Sequence, residues 1–198
     1  AMELREVIGK MKEKVDQQRK EKKKMESLTK TSKDYHKNAL VIRSKAIESL
    51  VSCTRDVQES MDELAEMGIC LEAASYRVAV FDMDLFSDIH QVDMEKRQES
   101  ALMAFVLFNV ADEIVTGRSA GIAYQEGNNR VCILFMGNHS REFAGEIQEI
   151  CEEIQKKVKE VIGIEVSAGI GGWVRNPGET IQSHNQAEKA IELRYLLG

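Results

Sequence analysis

Proline and long apolar runs are scarce in this sequence. Its 198 residues include a single proline, Pro177, so long uninterrupted helices are permitted. The longest nearly unbroken apolar run, Ala101 to Val106, is far shorter than the roughly 20 residues that a membrane-spanning helix needs. No secretory signal pattern is visible. Because 43% of the residues are hydrophobic, we expect one or two globular domains. Since neither a membrane span nor a signal pattern is visible, we expect a cytoplasmic protein with no membrane partner.

Metal-ligand spacing is also missing. No two of the four cysteines form a Cys-x-x-Cys pair, and no two of the four histidines are spaced as a metal-binding pair. The sequence therefore predicts no metal and no cofactor. We expect reduced cysteines that act as small hydrophobic residues, and histidines in exposed or capping positions. The residues concerned are Cys53, Cys70, Cys132, Cys151, His36, His90, His139 and His184.

Charge is distributed unevenly along the chain. Residues 1–45 carry a net charge of +7, so the remainder carries −13. An acidic body does not favour nucleic acid, whose binding depends on cations that neutralise phosphates. The basic arm could approach DNA, but a solvated helix face is the favoured interpretation.

The first 50 residues favour one long helix, weakened only at Gly9. A 4-3 spacing of mostly apolar residues predicts a coiled-coil seam, in which the polar Gln18 and Lys22 weaken the packing or fix the register. Near Leu28 the spacing shifts by one three-residue step, which would overwind a supercoil locally. The predicted seam consists of Leu4, Ile8, Met11, Val15, Gln18, Lys22, Met25 and Leu28.

A helix of this length needs a partner for its apolar stripe. We expect a parallel homodimer, with an antiparallel helical hairpin broken near residues 29–33 as the alternative. Residues 51–75 are predicted to form a connector that contains a short helix over residues 54–67. Thr54 or Asp56 would cap that helix, and Gly68 would end it. Its inward residues would be Val57, Met61 and Leu64.

From residue 76 onward the pattern indicates an α+β domain. Residues 76–84 predict a strand, and residues 94–116 predict a helix that is buried on more than one face. Residues 140–162 predict an amphipathic helix with Val161 or Ile162 among its inward positions, and residues 164–174 predict another strand. A last helix opens at Asn176-Pro177-Gly178-Glu179. This order favours an antiparallel sheet covered by helices, of the ferredoxin-like kind.

Residues 120–135 predict a β-hairpin. Two apolar runs flank a turn that starts at Glu126, and Gly and Asn in that turn accept positive φ readily. The hairpin resembles the one that carries the active site of diguanylate cyclases, where the turn is Gly-Gly-Asp/Glu-Glu-Phe. Both acidic residues of that motif are replaced here. The aligned positions are Gly127, Asn128, Asn129, Arg130 and Val131.

Further segments resemble the central region of two-component response regulators of the AraC type. In order they are LREVIGKMKEKV, MDELAEMGICL, YRVAVFDMD, FNVADEI, NRVCILF, EVSAGIGGW and AEKAIELRYLLG. In that family a receiver domain precedes a long helix and a degenerate nucleotide-cyclase-like domain, and a pair of helix-turn-helix motifs follows. The resemblance implies a coiled-coil signalling and dimerisation arm at 1–50, the connector at 51–75 and the cyclase-like domain at 76–198. The receiver and the DNA-binding domain would lie outside these residues.

Asp82 and Asp84 lie where the resembling cyclases hold a metal. Two carboxylates at a strand end can bind Mg²⁺, but Asn129 and Arg130 cannot supply the further carboxylate of the cyclase motif, and Arg130 would repel a cation. No Arg-x-x-Asp product-inhibition motif precedes the turn. We therefore expect structural roles for both aspartates and no catalytic residue. A residual metal or ligand site is the alternative.

The glycine-rich segment at residues 169–172 invites a phosphate-loop interpretation. A dinucleotide fingerprint opens a helix after its strand, whereas these glycines lie within or at the end of an apolar strand. Close packing of a helix on the strand is the favoured interpretation. Trp173 and Tyr195 are expected in the core or in an interface.

The sequence thus predicts a non-catalytic regulatory region of a transcriptional regulator. An upstream histidine kinase would act through the receiver, and DNA would be bound only by the C-terminal domain. One alternative is a small-molecule or nucleotide sensor that holds its ligand near Asp82 and Asp84. Others are a residual nucleotide-processing enzyme and a membrane-anchored relative.

Overall fold

The computed structural model describes residues 39–83, 94–127 and 130–197, without the side chains of residues 94–99 and 194–197. Contacts divide the chain into Ala1–Val41 and Ile42–Gly198, and the packing described below belongs to the second unit. Every residue of the predicted seam, from Leu4 to Leu28, lies outside the described residues. The coiled coil therefore stays a prediction.

Two helices precede the sheet. Helix α1 covers residues 39–51, and α2 covers Val57–Glu66. Asp56, rather than Thr54, caps α2, because its side chain accepts hydrogen bonds from the backbone N–H groups of Gln58 and Glu59. Gly68 follows the helix with a φ of +78°, as helix-ending glycines do. The predicted short helix is confirmed.

Four antiparallel strands form one sheet in the order β2-β3-β1-β4. Helix α3 (Met94–Gly117) lies in sequence between β1 and β2, α4 (Arg141–Ile162) lies between β3 and β4, and α5 (Thr180–Leu197) follows β4. This order and pairing are those of a ferredoxin-like fold, so the predicted α+β class and antiparallel sheet are confirmed. The strands are β1 (Ser75–Met83), β2 (Gly121–Glu126), β3 (Arg130–Gly137) and β4 (Val166–Ile170).

Strand β4 is shorter than the predicted strand over residues 164–174. After Ile170, the pairing with β1 continues through the Gly171 N–H, which donates to the Val78 oxygen at 2.9 Å, and through a bridge between Tyr76 and Val174. Side chains bind the carbonyl groups in between: Arg77 Nε donates to the Gly171 oxygen at 2.6 Å, and Ser183 Oγ donates to the Gly172 oxygen at 2.7 Å. These two carbonyl groups therefore accept hydrogen bonds from side chains rather than from a neighbouring strand.

Helix α3 buries one face rather than several. Ala104, Leu107 and Ala111 are buried, whereas Leu102 and Phe105 are 63% and 41% exposed. The predicted burial on more than one face is wrong, because apolar residues beside the buried stripe face solvent. Residues Ser100–Gly117 are long and apolar enough to cross a membrane, but the core helix of a soluble protein passes the same test.

The ends of α4 and α5 differ in part from expectation. Ser140 caps α4, and Gly163 ends it with a φ of +72°. Of the two alternative inward positions, Val161 is 58% exposed, whereas Ile162 is half-buried. Before α5, Pro177–Glu179 form a 3-10 turn in which the Asn176 side chain caps nothing and instead donates to Glu179 Oε1 at 3.2 Å. Asn176 therefore stands at the N-cap position without a side-chain capping bond.

One face of the sheet packs against α1, α2 and α5 in a single hydrophobic core. Polar contacts add to this packing: Arg43 on α1 pairs with Asp112 on α3 at 2.6 Å, and Ser44 Oγ accepts the Gln125 N–H of the edge strand β2 at 3.2 Å. The fully or nearly fully buried members of the core are Ala46, Ile47, Leu50, Val51, Leu64, Leu71, Tyr76, Val78, Val80, Tyr124, Cys132, Leu134, Ala187 and Ile191.

Glycine lets α5 lie directly on β4. A Cβ atom on Gly169 would overlap the backbone oxygen of Ala187, and one on Gly171 would overlap that of Ser183. The helix-packing interpretation of the glycine-rich segment is confirmed. This close approach also lets His184 and Glu188 on α5 reach the charged residues near the β2–β3 turn.

Candidate functional site

Three neighbouring strands place charged residues side by side at the turn end of the sheet. Arg130 begins β3 and is the register partner of Glu126 on β2 and of Asp82 on β1. His184 and Glu188 reach the same place from α5. We call Asp82, Glu126, Arg130, His184 and Glu188 the hairpin cluster.

Arg130 is the cation at the centre of the hairpin cluster. Its Nη1 lies 2.5 Å from Glu188 Oε1 and 3.8 Å from Glu126 Oε2, and its Nε lies 3.7 Å from Asp82 Oδ2. Burial works to lower the pKa of Arg130, but the surrounding carboxylates outweigh it and the pKa is raised. With a neutral imidazole, three carboxylates face one guanidinium, so the cluster carries an excess of negative charge.

His184 is the most deeply buried member, with a side chain that is 8% exposed. Its Nε2 lies 2.8 Å from Glu126 Oε1, and its Nδ1 lies 3.8 Å from Glu188 Oε2. The Nε2 atom nevertheless has no hydrogen-bond partner of acceptable geometry. The contact with Glu126 is therefore a close electrostatic one in which the ring N–H is not directed at the oxygen.

The contact between His184 and Glu126 shifts both pKa values. Burial alone would lower the pKa of His184 and raise that of Glu126. The attraction between the two side chains outweighs burial, so the pKa of His184 is raised and that of Glu126 is lowered. Each group favours the charged form of the other.

Cys132 and Tyr124 extend the cluster into the core. They are register partners on β3 and β2, and both are fully buried. The Cys132 thiol donates to Glu126 Oε2 at a sulfur–oxygen distance of 3.8 Å, whereas the Tyr124 hydroxyl is a buried polar atom with no partner. Burial raises the pKa values of both groups well above their usual range. One potential ligand atom each from Glu126, Cys132 and His184 lies within 4.8 Å of the others.

The whole domain matches a known family. The family model described as the GGDEF-like domain matches residues 54–193, which is more than half of the chain. The chain belongs to the GGDEF-like family. A search of curated proteins finds no match. The resemblance to cyclase-like domains is thereby confirmed at the level of this family.

The degenerate motif of this GGDEF-like domain is only partly within the described residues. Gly127 has a φ of +59°, which explains a glycine at this bend. Asn128, Asn129 and Asp84 lie outside the described residues. Val131 is buried, and by strand alternation it points to the opposite face from Arg130. Asp82 and Arg130 are the two positions of the expected site that the fold brings together.

Three predictions about cysteine and histidine need correction in the GGDEF-like domain. Cys132 and Cys151 are buried as expected, but Cys53 and Cys70 are exposed; all four are free thiols. His184 is neither exposed nor a cap. His139 is exposed as expected and stacks on Trp173 with ring centroids 5.0 Å apart, and the Arg77 guanidinium lies over the Trp173 ring, 5.2 Å from its centroid. His36 and His90 lie outside the described residues, as does the Tyr195 side chain.

Sequence reasoning missed Glu126, Cys132, His184 and Glu188 as members of one site. The available clue was the i, i+4 spacing of His184 and Glu188, which places both on one face of a helix. Nothing in the sequence indicated which strand end that face would meet.

Proposed function

We propose that this GGDEF-like domain is a non-catalytic regulatory and dimerisation region of a cytoplasmic two-component transcriptional regulator. It would relay receiver phosphorylation to an AraC-type DNA-binding domain outside these residues. The observation that carries the non-catalytic part is the ion pair of Arg130 with Asp82. A cyclase needs acids near this turn to hold the metal that bridges its substrate phosphates. Here a cation occupies one of those positions and engages the strand-end carboxylate.

The hairpin cluster favours a scaffold over a ligand sensor. A sensor needs a concave pocket with a few convergent polar groups. Within the described residues, the charged groups at this sheet end contact one another: Arg130 with its three carboxylates, and His184 with Glu126. A nucleotide would have to displace these contacts before it could bind.

The relay part rests on the segments that resemble AraC-type regulators and on the predicted helical arm. Two arrangements of a helix pair, which the receiver biases differently, would transmit the phosphorylation state. A change between the two arrangements should cost least free energy where the seam packs poorly. Those places are the polar positions Gln18 and Lys22 and the phase shift near Leu28. The partners are a second copy of the chain, the receiver with its histidine kinase, and DNA through the C-terminal domain.

The absence of cyclase activity is tested with the purified chain, GTP and Mg²⁺ or Mn²⁺, with an active diguanylate cyclase assayed in parallel. We expect no cyclic dinucleotide by mass spectrometry. Product formed by the wild-type chain and lost in Asp82→Asn would overturn the non-catalytic assignment.

The relay is tested in the complete reading frame. Gln18→Leu with Lys22→Leu should change dimer affinity and transcriptional output, because it makes the predicted seam apolar. Gln17→Leu with Lys23→Leu places the same residues outside the seam and serves as the control. Unchanged dimer affinity and output in the seam variant would refute the relay.

A further inference from the structure

We propose that Glu126, Cys132 and His184 bind a divalent transition-metal ion of the Zn²⁺ class, beyond the function proposed above. The three residues come from β2, β3 and α5, and their ligand atoms lie within 4.8 Å of one another. The site would join the β2–β3 hairpin to the last helix beneath Arg130.

The distances fit a tetrahedral ion. Zn²⁺ bonds of about 2.0–2.3 Å place neighbouring ligand atoms roughly 3.3–3.8 Å apart. Here Nε2 of His184 lies 2.8 Å from Glu126 Oε1, and Cys132 Sγ lies 3.8 Å from Glu126 Oε2. Shifts of a few tenths of an ångström would admit the ion, and three protein ligands leave one position for water.

Two buried polar atoms lack a hydrogen bond of acceptable geometry at this place, although Glu126 Oε1 lies 2.8 Å from one of them, and a metal would satisfy both. His184 Nε2 has none although its side chain is more than nine-tenths buried, and the fully buried Tyr124 hydroxyl has none either. Such orphans are rare, because a buried polar group without a partner costs free energy. Bound metal would release the protons of His184 Nε2 and of the Cys132 thiol to solvent and take Nε2 and the thiolate as ligands, and the thiolate would accept the neighbouring Tyr124 O–H as an outer contact.

Ligand type and charge select the ion. A thiolate with an imidazole favours Zn²⁺ and its transition-metal neighbours over Mg²⁺, which prefers oxygen ligands. The hairpin cluster holds three carboxylates against Arg130, so a cation offsets its negative excess. Arg130 would keep the carboxylates of Glu188 and Asp82 as partners if Glu126 turned to the metal.

The test measures binding of Zn²⁺ and Co²⁺ to the full 198-residue chain after chelator treatment. Cys53→Ser and Cys70→Ser are built into every variant, because both thiols are exposed and would bind metal adventitiously. We expect one Zn²⁺ per chain and a thiolate-to-Co²⁺ charge-transfer absorption. Loss of an outer contact typically costs about 10- to 100-fold in affinity, so Cys132→Ser and His184→Gln should each cost at least that.

Cys151→Ser is the matched control, since Cys151 is an equally buried thiol on α4. It should leave affinity and absorption unchanged. This control carries serine at positions 53, 70 and 151, so Cys132 is its only thiol. Metal binding by this variant therefore tests the assignment even if Cys132→Ser fails to fold. Absence of the charge-transfer absorption there, or Zn²⁺ affinity that Cys132→Ser and His184→Gln do not alter, would overturn the proposal. So would tight binding of Mg²⁺ in place of Zn²⁺.

Discussion

Arg130 lies across the strand pair from Asp82, with its Nε atom 3.7 Å from the Asp82 carboxylate. In a cyclase-like hairpin this position would carry an acid. Because an arginine replaces the acid, the carboxylates at this position surround a guanidinium instead of a metal ion. The energetic weight of this replacement can be measured.

Arg130→Gln should lower the free energy of unfolding by about 1 kcal/mol in metal-free buffer. The Arg130 side chain is 40% exposed, so solvent screens its ion pairs and limits their contribution. The loss still exceeds that of an ordinary surface pair, because three carboxylates are left facing one another. Urea unfolding measures the difference. Arg55→Gln, which removes one exposed pair with Glu63, should cost about 0.5 kcal/mol or less, and equal losses in the two variants would contradict this account.

Gly169→Ala should destabilise the domain by about 1–3 kcal/mol, the usual cost of an overpacked core. The added Cβ overlaps the Ala187 backbone, which cannot move like a flexible side chain. Gly145→Ala is the control: this glycine lies inside α4 with open space around the Cβ position, so alanine should stabilise by roughly 0.5–1 kcal/mol. Opposite signs in thermal or urea unfolding are the expected result. A neutral Gly169→Ala would show that α5 does not hold this close approach in solution.

Ser183→Ala should cost about 1–3 kcal/mol, because it leaves buried backbone groups unpaired. The Ser183 hydroxyl accepts the Val78 N–H at 2.9 Å and donates to the Gly172 oxygen at 2.7 Å, joining α5 to β1 and to the segment after β4. Ser52→Ala removes only local bonds to the Glu48 carbonyl and the Thr54 hydroxyl and should cost less. Amide exchange at Val78 should rise in Ser183→Ala; an unchanged rate would mean that another group takes over the bond.

The four cysteines should separate into two reactivity classes. Burial raises the pKa of Cys151 to about 12 and that of Cys132 well above its usual range, so few thiolates form there near neutral pH. Cys53 and Cys70 are exposed. Iodoacetamide followed by peptide mass spectrometry should label Cys53 and Cys70 first, and the two buried thiols only after denaturation. Early labelling of Cys132 in the folded chain would contradict its burial.

Glu179 should add a small acid-sensitive contribution to stability. The Asn176 amide and the Arg175 backbone N–H donate to its carboxylate, which lowers its pKa below the usual 4.5. A lowered folded-state pKa means that the contribution is present above pH 4.5 and is lost as pH falls through the folded value. Glu179→Gln should therefore be less stable than wild type at neutral pH and approach it in acid. Exposed Glu160→Gln is the control and should show no such convergence.

Local patterns in the sequence were sufficient for the elements but not for how they meet. Apolar runs located β1 and the hairpin, and the helices predicted from residues 54 and 140 begin within three residues of those positions. The apolar residues of α3 misled, because composition cannot separate a buried position from an exposed one such as Leu102. The sequence of a helix shows which residues are apolar, but the packing of the domain determines which of them are buried.

The hairpin cluster could not be predicted from the sequence for the same reason. Glu126 and Cys132 belong to adjacent strands, but His184 joins them only because two glycines let α5 approach β4. Ligand spacing along the chain therefore predicted no metal site, although three suitable side chains meet in space.

The close packing of α5 on β4 also restricts how the two elements can move relative to each other. With Gly169 against Ala187 and Gly171 against Ser183, backbone meets backbone and leaves no layer of side chains to deform. Sliding or rolling α5 by a fraction of a turn would drive the helix into the strand. A displacement of β4 should therefore move α5 with it.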